Sequence, residues 1–255
     1  MQSPQVFSWS RNATMPRMTG LRERKKRQTR QHISDVATGL FMERGFDAVT
    51  VAEVAEAAEV SVNTVYNYFP AKEDLFFDRE EETVDRPSAR VRDRAPGQSA
   101  AEAVLDGLRE DIDRRPVNLG MVDGFDRFVA VVTGSHSLLA RLMGMQYQTT
   151  AQLGRTLAQE TGSEPGDPLP ELVAAHLMAV HANLHQTVRH AYRAGHDVEE
   201  LRADLLRRLD LSERLLSDEV RDFARRPLDE SAQPGGRPRP APSDDEEFRC
   251  RRSTR

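Results

Sequence analysis

A chain of 255 residues with 38% hydrophobic and 30% charged side chains has room for a sizeable core, yet is too polar to pack from end to end. Its formal net charge of -5 excludes a protein that coats nucleic acid by positive charge everywhere, and no stretch approaches the roughly 18 apolar residues of a membrane span. The lone cysteine, Cys250, leaves no internal disulfide; with no apolar run near Met1 to act as a secretory signal, a cytoplasmic protein in a reducing compartment is expected.

Residues 1–20 show no apolar period and scatter Ser, Pro, Gly and Asn, so they read as disordered, with Met15 and Met18 as alternative starts to Met1. Charge concentrates next. Residues 17–30 hold seven basic side chains (Arg17, Arg22, Arg24, Lys25, Lys26, Arg27 and Arg30) against Glu23, a local +6. From Leu21 a long helix is predicted. Its second half places Ile33, Val36, Ala37, Leu40 and Phe41 on one buried face. Gly39 weakens it by about 1 kcal/mol relative to Ala, and Gly45 ends it as a left-handed residue. Thr50 then caps a short helix with Val51, Val54, Ala55 and Ala58 at i, i+3, i+4 and i+7.

The stretch 60–75 organises the rest. Ser61 is a natural N-cap, Val62, Val65 and Phe69 share one stripe that faces a core, and Pro70 stops the helix. Asn63, Thr64, Asn67 and Tyr68 form the opposite stripe, with Tyr66 at the rim. That uncharged surface suits base edges and phosphate oxygens. Alone, it reads equally well as an ordinary amphipathic helix. Behind a second short helix and a tight turn at residues 59–61, it reads as a helix-turn-helix.

A helix over 72–86 leads out of this unit, and the Pro- and Gly-containing stretch 87–98 reads as a connection. Further helices follow: 99–115 with Val104, Leu105, Leu108 and Ile112 inward; one carrying Met121, Val122, Phe125, Phe128, Val129 and Val132; 137–161 with Leu138, Leu139, Leu142, Met143, Tyr147, Leu153 and Leu157; then 171–194 and 198–225. The fold class is all-α, an N-terminal three-helix unit followed by a larger helical domain. The division is 1–20 disordered, 21–86 reading head with its connecting helix, 87–226 second domain, and 227–255 a disordered tail rich in Pro, Gly, Ser and mixed charge.

Read together, Arg27-x-Thr29-Arg30-x-x-Ile33, Leu40-Phe41-x-x-x-Gly45-Phe46-Asp47-x-x-Thr50-Val51 and Val54-Ala55-x-x-Ala58-x-Val60-Ser61-x-x-Thr64-Val65-Tyr66-x-Tyr68-Phe69-x-x-Lys72-Glu73-x-Leu75 resemble the N-terminal domain of the TetR family of transcriptional regulators. The resemblance implies a sequence-specific DNA-binding regulator, a repressor released from a palindromic operator by a small-molecule effector. It implies that Thr64, Tyr66, Tyr68 and Lys72 contact DNA, mainly phosphates, and that the helix behind Thr50 points its N-terminus at a phosphate. Val62, Asn63 and Asn67 occupy the positions that choose bases; Asn suits adenine and Val62 a thymine methyl. Ser61 and Arg30 complete the set, and Ala52 is too short to read bases. Glu59 departs from the family, which usually has Gly in the turn: either Glu59 takes an uncomfortable backbone angle or the turn differs.

In the second domain Met121, Phe125, Phe128, Leu142, Met143, Tyr147 and His181 line either a plain core or an effector cavity; the resemblance favours the cavity. It also implies a homodimer through the last two long helices, burying rows such as Val173, Leu177, Val180, Leu184 and Leu205, Leu209, Leu216, Val220. His181 and His185, four apart on one face, admit an alternative, an enzyme or a metal-dependent binding protein; His176 and His190 lie off that face and the zinc-peptidase Glu is missing. No Gly-x-Ser-x-Gly elbow or phosphate loop occurs, so neither catalysis nor a cofactor is expected.

Overall fold

The structure, a computed structural model, describes residues 20–114, 116–122, 124–194 and 197–228. Apart from Gly20, Pro227 and Leu228, the segments read as disordered lie outside the described residues, as does Cys250. Eleven helices and one 3₁₀ turn follow in order, with no strand among the described residues. They are α1 (Leu21–Arg44), α2 (Val51–Ala57), α3 (Val62–Tyr68), α4 (Lys72–Phe76), α5 (Glu80–Arg92), α6 (Ala100–Arg114), the turn Pro116–Leu119, α7 (Phe125–Gly134), α8 (His136–Thr161), α9 (Leu169–Ala194), α10 (Val198–Leu215) and α11 (Asp218–Asp222). No single helix among them is long and apolar enough to cross a membrane.

Two cores result. The first gathers Ile33, Ala37 and Phe41 of α1, Val54 and Ala55 of α2, Val65 and Phe69 around α3, and Leu75 and Phe76 of α4. It does not close on itself: Val132 of α7 and Leu138 of α8 complete it, with Phe128, Val131 and Leu142 packed alongside. The second core joins Val91 of α5, Val104, Leu105 and Leu108 of α6, Leu153 and Leu157 of α8, and the inner faces of α9 and α10. Polar ties join the head to α7 and α8. Arg127 Nε donates to the Met42 carbonyl at 2.6 Å, Ser135 Oγ to Asp47 at 2.8 Å, and Arg141 spans Asp74 of α4 at 2.9 Å and Glu80 of α5 at 2.6 Å.

Three expectations need correction. The helix over 72–86 and the connection over 87–98 are replaced by a break at 77–79 and by α5, which runs through Pro87. A mid-helix proline costs roughly 3 kcal/mol through its missing donor and ring clash. Here the ring occupies the buried stripe Val84, Pro87, Ser88, Val91, which supplies the packing that offsets it. The last helix stops at Leu215, and Ser217 caps the short α11 by accepting from Val220. The rows meant for a partner are spent within the chain. Val173, Leu177, Val180, Leu184, Leu205, Leu209 and Leu216 are 0–9% exposed in the second core, with Val220 packed against it. Helices of this length must first cover their own domain.

Candidate nucleic-acid interface

α2 and α3 are set by their caps. The Thr50 hydroxyl accepts from the Glu53 backbone N–H at 3.2 Å, while a Glu53 oxygen accepts from Thr50 N at 2.7 Å and from its hydroxyl at 2.8 Å. Arg44 donates to the other Glu53 oxygen at 2.6 Å. The Thr50 N–H and then Arg44 hold the Glu53 carboxyl down to about 2. Thr50 therefore commits both its donors to Glu53.

After α2 the chain reverses through Glu59 at φ 55. Glu59 N donates to the Glu56 carbonyl at 3.1 Å and Val60 N to the Ala55 carbonyl at 2.9 Å, the paired bonds of a Schellman ending. Of the two options the sequence left, the strained angle is the one adopted. Ser61 then caps α3, accepting from Thr64 N at 3.0 Å and sharing a hydrogen bond with the Thr64 hydroxyl at 2.8 Å.

α3 presents its expected faces with one exception. Val65 and Phe69 are 0% and 1% exposed, Asn63 and Asn67 are exposed, Thr64 and Tyr68 are half-buried, and Tyr66 is 48% exposed. Val62, placed on the core stripe by the helical wheel, is 40% exposed. It stands in the first turn, beyond the reach of the α1–α2 core. Beside α3, the start of α1 and Tyr68 enclose a cleft of about 760 Å³ lined by Arg22, Glu23, Lys25, Lys26, Thr29 and Tyr68, three cations to one anion.

Two cations expected at the DNA are used inside the head. Arg30 donates to the Tyr68 carbonyl at 2.6 Å and the Asp78 carbonyl at 3.1 Å, with its guanidinium 4.2 Å over the Phe69 ring. Lys72 Nζ donates to the Phe46 carbonyl at 2.6 Å and sits 4.2 Å over the Phe46 ring, and burial lowers its pKa.

The second-domain set is divided. Met121 is 5% exposed in the second core, with Phe125 against it, whereas Phe128 and Leu142 pack on the head core. Met143 and Tyr147, 63% and 76% exposed, face outward and enclose nothing with the others. His181 and His185 do meet, Nε2 to Nε2 at 3.3 Å. Burial above all keeps both uncharged: His185, with Arg189 and Arg86 adding to the effect, is held at about 4, and His181, with His185 and then Arg90 and Arg86 adding, well below its usual value. No third protein ligand gathers there among the described residues, and Arg86, Arg90 and Arg189 surround the pair, a poor setting for a metal cation. The sequence reading missed Arg86 and Arg90 because 87–98 passed for a loop; as part of a helix they are four apart on one face.

An outward-facing capped helix set against a second one, with a cationic cleft alongside, defines a helix-turn-helix DNA-binding protein. The profile of bacterial regulatory proteins, tetR family, matches residues 33–78, the segment that holds the end of α1 with α2, α3 and α4. The HTH-type transcriptional regulator TcmR of Streptomyces glaucescens is 28% identical over 186 residues, 71% of this chain and 81% of its own length. The HTH-type transcriptional repressor KstR of Rhodococcus jostii is 29% identical over 117 residues, 43% of this chain and 55% of its own. In fold, the chain is similar to the SmeT–triclosan complex, with a TM-score of 0.52 at 16% identity over 85% of this chain and 100% of that one. The protein is a DNA-binding transcriptional regulator, and its relatives give the enzyme or metal-protein alternative no support.

Proposed function

We propose that the chain is a cytoplasmic, homodimeric repressor that grips a palindromic operator with α3 of each copy and lets go when a small molecule enters the second domain. The observation that carries this is α3 itself: its apolar side is consumed by Val65 and Phe69 while Asn63, Tyr66 and Asn67 remain in solvent beside the cationic cleft. In this reading Ser61, Thr64, Tyr66 and Tyr68 hold phosphates, and Val62, Asn63 and Asn67 address bases. Because Arg30 and Lys72 are bonded internally, the phosphate attraction falls to Arg22, Lys25 and Lys26.

A dimer through the last two long helices would use their second faces, not the buried rows. Leu172, Ala175, Ala179 and Ala182 of α9 are exposed at i, i+3, i+7 and i+10, and α10 adds Leu211 and Leu215. Two heads so joined would meet half-sites about one helical turn, roughly 34 Å, apart. Release is supported by a run of rings from Phe41 and Phe46 through Phe76 and Phe128 to Phe125 and Tyr192 of α9, with successive centroids 4.9 to 6.1 Å apart. A shift at α9 reaches the head through packed surfaces.

Selection of bound sequences from a random duplex pool tests the reading. An inverted repeat should emerge, and Asn63→Ala should relax one base position in each half by about 1–3 kcal/mol. Failure to enrich any sequence would refute it.

A further inference from the structure

Away from the head, polar side chains from four elements converge. Arg86 and Arg90 come from α5, Asp111 from α6, Asn118 from the 3₁₀ turn, and His181, His185 and Arg189 from α9. Asp111 is 3% exposed and both its oxygens are taken, one by Arg90 and the other by the Asn118 amide at 2.6 Å. Gly107 makes the room: a Cβ there would lie 2.2 Å from Arg90 Nε. The histidines satisfy each other, one Nε2 donating to the other.

Arg86 is poorly matched. Its side chain keeps 22% of its surface, and among the described residues its one ion pair is a loose 3.8 Å contact to Glu82, itself 65% exposed. A guanidinium drawn largely out of bulk water, whose remaining donors reach only a residual opening to solvent, favours an anion at that opening. The balance of charge points the same way: Arg86, Arg90 and Arg189 act on neutral histidines, and against these three guanidiniums Asp111 is the one carboxylate buried there among the described residues, with both oxygens already accepting from Arg90 and Asn118.

Two turns further along α9 from the cluster stand apolar rings. Tyr192 follows His185 by seven residues on the same face of α9, and its ring meets Phe125 edge-on at 5.6 Å. Phe125 stacks on Phe128, and Phe128 on Phe76 of the head.

We propose that this cluster is the effector site and that it takes a small molecule bearing a carboxylate on an aromatic or apolar body. Arg86 grips the carboxylate bidentately, the His181–His185 pair donates to it, and Phe125 and Tyr192 flank the body. The proposal rests on the reading of the chain as an effector-released regulator. Arg suits the role because its planar fork matches a carboxylate and stays charged.

The pair adds a pH signature. The charged groups acting on it are Arg86 and Arg90 of α5, Asp111 of α6 and Arg189 of α9. Without ligand both imidazoles are neutral near pH 7. A bound carboxylate favours the protonated form, so the complex takes up a proton and affinity rises as pH falls.

The test is calorimetric titration of the full chain with 2-naphthoate and its uncharged isostere 2-naphthamide. The carboxylate should bind roughly tenfold or more tighter than the amide. Its affinity should rise between about pH 8 and about pH 6. Arg86→Gln should abolish the preference, and Arg86→Lys should retain part of it. Should Arg86→Gln fail to fold, His185→Gln serves instead, keeping the preference while flattening the pH dependence. Equal or tighter amide binding, no binding of either probe at millimolar concentration, or an intact preference in Arg86→Gln would overturn the proposal. Operator affinity measured on the same unliganded wild-type preparation separates the two failures. Intact DNA binding without carboxylate preference sinks the site alone; absent DNA binding sinks the regulator.

Discussion

Arg30 decides whether the lower end of the basic run serves the DNA or the fold. Its two carbonyl bonds, at 2.6 and 3.1 Å, and its place over Phe69 tie α1 to the end of α3 and to the break after α4. A hydrogen bond to a charged group contributes about 1.5–3 kcal/mol, and partial exposure puts each of these toward the lower figure. The cation–π contact adds roughly 0.5–1 kcal/mol. Arg30→Met keeps an apolar stem beside Phe69 but removes both bonds, so the head should lose about 3 kcal/mol. Native-state hydrogen exchange of the α3 amides should then quicken by about a hundredfold. Operator binding should weaken only by the cost of restoring the head, and the dependence of log affinity on log salt should keep its slope. A phosphate-bound Arg30 gives the opposite pair of results, unchanged exchange with a slope smaller by about 0.9. That outcome would refute the structural role.

Three further outcomes follow from the same geometry. Glu59→Gly, at φ 55, relieves a left-handed non-glycine residue and should raise stability by about 1 kcal/mol in urea unfolding; a loss would mean that the Glu59 side chain makes a compensating contact. Glu53, held at about 2, contributes stability that is complete above its ordinary range near 4.5 and lost as pH falls toward 2, so Glu53→Gln should flatten the acid limb of urea midpoints measured across that window. Phe128→Ala removes stacks at 4.9 and 5.9 Å and should cost about 2–3 kcal/mol in stability. It should also shrink the effector-dependent change in operator affinity, ordinarily about 1–3 kcal/mol; undiminished coupling, read by titrating operator with and without effector, would show that the ring run carries none of it.

The reading head was legible because its signals are local. Ser61, Thr50 and Gly45 mark helix ends by backbone chemistry that acts within a few residues, and Ile33, Ala37 and Phe41 repeat at the helical period. Even Glu59 declared itself as a misfit. What the sequence concealed depends on partners far along the chain. Arg30 and Lys72 read as DNA cations because the direction of a long flexible side chain is set by carbonyls 26 to 48 residues away. Pro87 read as a breaker because its compensation is tertiary, a buried stripe against other helices. In α9, two faces carry apolar side chains, and periodicity does not say which one covers the chain's own core.

The first core closes only when Val132 and Leu138 are present. A fragment cut after α4 would leave an apolar gap beneath α1 and lose the clasps of Arg127, Ser135 and Arg141. Anyone exchanging DNA specificity between relatives must therefore transplant α7 and the opening turns of α8 along with the first four helices. The separable unit is discontinuous, and a chimera joined at the chain's obvious bend would carry an open seam.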